Sequence, residues 1–183
     1  MKNNIIKIVI FICVASNLFG QKYFTRTGEI SFFSGTSMED IEAVSNSAST
    51  VIDLSSGKIQ WAVLIKSFEF EKALMQEHFN ENYMESSKYP KAKFSGTINN
   101  ISDINLKEDG TYTAELSGTL DIHGVKKEVT TTAIFTVENE AVSAENVLKI
   151  LVADYDIKIP SVVKDKIAKE IEIKIKANYE ILD

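Results

Sequence analysis

The segment Glu170–Ile181 alternates polar and aliphatic residues without a break, and this constrains the fold more than any other feature of the chain. Ile171, Ile173, Ile175, Ala177, Tyr179 and Ile181 share one face only if the backbone is extended, because successive strand side chains point to opposite sides. A helix would scatter them around its circumference. The same period recurs upstream. Lys58–Lys66 aligns Ile59, Trp61, Val63 and Ile65, and Thr111–Ile122 aligns Tyr112, Ala114, Leu116, Leu120 and Ile122. Val129–Val137 aligns Val129, Ala133, Phe135 and Val137 against a Thr-rich opposite face that suits a strand. Shorter runs at Tyr23–Thr27, Glu29–Ser34, Ile41–Asn46, Ser49–Asp53, Ala92–Asn99 and Ala141–Ala153 read as further strands.

Turn residues separate these runs. Ser56-Gly57, Asp109-Gly110, His123-Gly124 and Glu138-Asn139-Glu140 fall between them, and short turns between consecutive strands imply an antiparallel meander. The expected fold class is all-β: a lipocalin-like antiparallel β-barrel of about eight strands with one or two short helices. Phe70–Met84 carries Phe70, Leu74, Met75, His78, Phe79, Tyr83 and Met84 among polar residues, which predicts a short amphipathic helix ended by Lys88-Tyr-Pro90. A second short helix is expected at Ser161–Lys169, after Pro160.

The first twenty residues read differently. Lys2 and Lys7 precede an apolar run that ends near Gly20, the layout of a secretory signal peptide. The domain plan is therefore 1–20 signal peptide and 21–183 barrel, with cleavage expected near Gln21 and a periplasmic or secreted product. Cleavage removes Cys13, the single cysteine, so neither a disulfide nor a multi-thiolate metal site is expected. It also removes two lysines from a chain whose net charge is already −6, which argues against nucleic acid as a partner.

Two motifs carry a resemblance. Phe79–Gly96, ending Tyr89-Pro-Lys-Ala-Lys-Phe94-Ser-Gly96, resembles the segment that opens a central strand in the YceI-like, lipid/polyisoprenoid-binding family. Gly118–Val129, with Ile122-His-Gly124 at its turn, is similar to that family's second hallmark, and Leu151–Ile181 looks like its closing section. The opening strand departs from the family pattern, reading Thr25–Phe32 where an Asp-x-x-His-Ser start is usual. The resemblance implies an exported bacterial protein with a lipocalin-like barrel around an elongated apolar cavity, in which some members hold a long isoprenoid chain.

No enzyme motif emerges, and no catalytic residue, metal ligand or cofactor is expected. There is no Gly-x-Ser-x-Gly elbow and no Gly-rich phosphate loop. His78 and Glu81 could approach one another on a helix, but two histidines are thin material for a metal site, and His78 reads as a packing residue. His123, beside Gly124, reads as a turn residue. Burial of an apolar lipid such as an isoprenoid or fatty acyl chain is the leading expectation, with a homodimer unopposed by the sequence. The expected liners are Ile30, Phe32, Ile59, Trp61, Val63, Ile65, Leu116, Leu120 and Phe135 on the inward parity, with Leu74, Met75 and Phe79 of the amphipathic segment closing one mouth. A filled, ligand-free scaffold or envelope stress protein acting through protein contacts is the alternative.

Overall fold

The structure, a computed structural model, describes residues 21–182. The expected signal peptide and its cleavage point lie outside the described residues. Alternating segments become nine strands: β1 (Lys22–Gly35), β2 (Asp40–Asp53), β3 (Lys58–Leu64), β4 (Glu69–Phe70), β5 (Lys91–Ile98), β6 (Gly110–Ile122), β7 (Val125–Glu138), β8 (Ala141–Leu151) and β9 (Glu170–Leu182). All pairings are antiparallel, in the order β1-β9-β8-β7-β6-β5-β3-β2, and β1 pairs with β2 to close an eight-stranded barrel. The two-residue β4 sits on β2 at Ala43 and Val44, above the stretch Ser49–Asp53 that β3 covers. Pairing runs round the whole barrel, although β7 meets β8 only over Ala133–Glu138.

Four short runs expected near the start are two long strands. The register of β1 against β2 shifts between Thr25 and Gly28 and again before Ile30. Inward parity therefore changes from Tyr23 and Thr25 to Ile30 on β1, and from Ala43 and Ser45 to Ala48 and Ile52 on β2. A bulge bends a strand without ending it. The turns Asn139-Glu140 and His123-Gly124 each carry two positive φ angles, the pattern of tight hairpins. Asp109-Gly110 is not such a turn. The connection 99–109 is longer, and it sends Ile104 and Leu106 inward, where Tyr23 donates its hydroxyl proton to the Leu106 carbonyl at 3.2 Å.

The amphipathic segment is helical only in its centre. Phe70 belongs to β4, α1 covers Ala73–His78, and Phe79–Tyr83 widens into a π-helical turn. The expected second helix at Ser161–Lys169 is absent. That stretch forms separate turns, closed by Val163 N–H to Pro160 O and Lys166 N–H to Val163 O. Its end is drawn onto the barrel, because Val152 N–H donates to Lys169 O and Ala168 N–H donates to the Ser34 hydroxyl at 2.9 Å. Backbone groups spent on the barrel are lost to a helical ladder.

A candidate binding cavity in one half of the barrel

The barrel interior divides into two halves. At one end Tyr23, Ile52, Ile59, Ile98, Leu116, Phe135 and Val137 are buried against one another, with Ile104 and Leu106 as a plug. At the other end lies a cavity of about 410 Å³. Its wall comes from the ends of strands that meet there: Ile30 and Phe32 of β1, Ile41 of β2, Trp61 and Val63 of β3, Ala92 of β5, Ile122 of β6, Ile150 of β8, and Ile171 and Ile173 of β9. Two segments cover it. One is α1 with its π turn, through Leu74, Met75, His78, Phe79 and Tyr83; the other is the connection after β8, through Ile157, Ile159, Val163 and Ile167.

Aromatic packing fixes the first cover. Phe79 meets Phe70 at 5.0 Å, Phe32 at 5.3 Å and Phe68 at 5.7 Å between ring centroids, and all four rings border the cavity. Such pairs are worth about 0.5–1.5 kcal/mol each beyond their burial. Polar ties fasten the rim. Glu39 in the β1–β2 turn holds Lys72, just before α1, at 3.2 Å and Lys166 of the second cover at 3.9 Å. All three are partly exposed, which keeps such pairs to about 1 kcal/mol or less.

His123 bolts both covers to the barrel. Its Nδ1 donates to the Tyr155 carbonyl at 3.0 Å, Nε2 lies 3.0 Å from the Glu85 carboxylate, and Tyr89 packs edge-on at 4.6 Å. Residue 155 belongs to the second cover, and residues 85 and 89 follow the first. The imidazole was expected to serve its own turn; it reaches instead across three segments. Burial, with Asp154 second, raises the Tyr155 hydroxyl above its ordinary pKa.

Of the expected liners, Ile30, Phe32, Trp61, Val63, Ile65, Leu74, Met75 and Phe79 border the cavity. Ile59, Leu116, Leu120 and Phe135 do not. They point inward as their parity requires, but at depths where neighbouring side chains fill the barrel: Leu120 is 0% exposed and Phe135 1%. Parity gives the face and not the depth. Sequence reasoning missed Phe68, Phe70 and the whole second cover. The signal for the cover was present in the alternation Ile157-Lys-Ile159 and the spacing of Val163 and Ile167. The two histidines are far apart in role: His78 borders the cavity and bonds Asn82 at 2.8 Å, while His123 is held at the turn. Among the described residues no group of three or more His, Cys, Asp or Glu side chains converges as metal ligands would. Nor is any described helix long and apolar enough to cross a membrane.

A family model described as the YceI-like domain matches residues 14–179. A polyisoprenoid binding domain from Saccharophagus degradans superposes with a TM-score of 0.77 at 17% identity, covering 88% of this chain and 98% of that one. BcnA of Burkholderia cenocepacia gives 0.68 at 17% identity, covering 84% of this chain and 96% of its own. These likenesses concern the fold. Curated proteins offer no significant sequence match.

Proposed function

The chain belongs to the YceI-like domain family, and from that membership and the shape of its cavity we propose that it is an exported protein that binds a lipid by burying its apolar chain. The observation that carries this reading is the cavity of about 410 Å³, walled by aliphatic and aromatic side chains in a barrel whose other half is filled. An eight-stranded barrel is wide enough either to fill with side chains or to hold one small ligand, and this one does each in a different half. The binding domain of a fold neighbour is described as polyisoprenoid-binding, which supports an isoprenoid or acyl chain here. The basic, apolar leader supports delivery to the periplasm or beyond.

The mechanism is burial. Each buried methylene contributes ~0.8 kcal/mol gross, so one isoprene unit contributes roughly 3–4 kcal/mol before the costs of immobilisation. Binding rather than catalysis is supported by the state of His123, whose two ring nitrogens are both engaged by the protein.

Two measurements test the reading. Solvent extraction and mass spectrometry of protein purified from its host should release an apolar molecule at near-stoichiometric yield. Trp61, the single tryptophan, borders the cavity, so fatty acids or prenols should change its fluorescence saturably. Val63→Phe should weaken that response, while Gln60→Leu on the opposite face leaves it. If nothing co-purifies and neither lipid class moves the fluorescence, the ligand-free scaffold replaces this reading.

A further inference from the structure

The boundary between the two halves is built from identifiable residues. On β5, β6 and β3 the last cavity-facing side chains are Ala92, Ile122 and Trp61, and the next inward ones are Phe94, Leu120 and Ile59, all buried and none bordering the cavity. Trp61 stacks on Phe94 at 6.1 Å, with 21° between the ring planes. The Phe94 ring lies over Gly96, next on the same face, because Gly96 has no side chain. A Cβ at Gly96 would lie 2.6 Å from Phe94 Cζ and would run into the Ser117 carbonyl. Gly96 in turn faces Gly118 in register, where a Cβ would strike the Ser95 carbonyl. The paired glycines thus bring β5 and β6 close and leave the space that the Phe94 ring occupies.

We propose that this Trp61–Phe94 layer is a floor that limits ligand length, so that the cavity selects a single-chain lipid with a tail of about fourteen carbons, inserted tail first. With a carbon group taken at about the size of a liquid water molecule (~30 Å³), a cavity of about 410 Å³ holds roughly 14 of them. Polar and charged liners are Ser34, Glu39, Lys72, His78, Tyr83 and Lys166, all on the rim or the covers and none beside the floor. A polar head therefore stays at the mouth. Carbons beyond the filled length remain in water and add no burial. The proposal deepens the lipid-binding reading and rests on it.

Saturated fatty acids of eight to twenty-two carbons, titrated below their micelle thresholds and followed by Trp61 fluorescence and calorimetry, test the floor. Affinity should rise up to about four-fold per methylene and level off near fourteen carbons. Val63→Phe should move the plateau to shorter chains, and Phe94→Leu should move it to longer ones. The two shifts have opposite sign, so general loosening of the fold cannot mimic both. A rise that continues unbroken to twenty-two carbons, or a plateau that neither variant moves, overturns the floor while leaving lipid binding intact. Absence of binding at every length removes the lipid reading and the floor with it.

Discussion

The two ends of the barrel follow the same alternation and use the same residue types, yet one is solid and the other hollow. At the filled end, a large ring from β7 (Phe135) and inward aliphatics from the 99–109 connection join one buried core. At the hollow end the bulky residues stand on the rim and the covers, where Phe32, Phe68, Phe70 and Phe79 pack on one another beside the cavity rather than across it. The difference teaches that interior volume depends on which connections send side chains inward. Period-two alternation runs through both ends, and only β1 and β2 shift their inward face between them.

The sharpest break of that comparison is truncation. Phe135→Ala should cost about 3–5 kcal/mol, since it opens a void in a packed interior. Val63→Ala should cost less than half as much, because Val63 already borders empty volume. Urea unfolding of both variants measures this, and equal losses would mean that the two ends are packed alike.

Alkaline pH probes the filled end next. Burial pushes the Tyr179 hydroxyl up to about 12 from its ordinary 10, against a smaller opposing effect of its hydrogen bond with Thr50. The folded state therefore holds its proton more tightly than the unfolded one. The associated stability is complete below pH 10 and is lost as pH rises toward 12, by about 2 kcal/mol. Unfolding midpoints across that range should fall, and Tyr179→Phe should flatten the decline. A Tyr179→Phe curve that overlays the parent would assign the loss to other groups, such as Tyr23 or Tyr155.

The two tight turns sharpen the comparison at smaller scale. At the hollow end Gly124 has φ +77°, and a Cβ there would lie 2.5 Å from Tyr89 Cε1, so Gly124→Ala should cost about 1–2 kcal/mol. At the filled end Glu140 has φ +68° with a side chain that disfavours it, so Glu140→Gly should stabilise by about 1 kcal/mol. Thermal midpoints moving in opposite directions would confirm the contrast; a loss at both turns would refute the strain reading of Glu140. The smallest effect belongs to Glu39→Gln, which removes both rim pairs. Stability should change by less than about 1 kcal/mol, while lipid release, followed by Trp61 fluorescence, should quicken as the covers lose their shared anchor. Unchanged release would show that the aromatic cluster alone holds them.

Much of the fold was legible in particular residues. Ile171–Tyr179 and Ile59–Val63 named their inward faces correctly, and His123-Gly124 named a hairpin. The strand breaks expected near Gly28 and Ser47 turned out to be bulges, since an interruption of period two looks the same whether the chain turns or merely gains a residue. Ile30, Phe32, Trp61, Val63, Ile65, Leu74, Met75 and Phe79 border the cavity, while Ile59, Leu116, Leu120 and Phe135 lie deeper, since alternation gives a side chain's face and not its depth.

The sequence by itself determined the extended conformation, the inward face of most strands and the antiparallel order, because these follow from side-chain alternation and short turns, which are local. Tertiary structure alone decided where the interior is empty. A cavity is the space left after side chains from eight strands and two long connections have taken their positions, and that remainder depends on all of them together. Phe94 could lie over Gly96 only once Gly96 and Gly118 met in register, and His123 could reach Tyr155 and Glu85 only once both covers had closed.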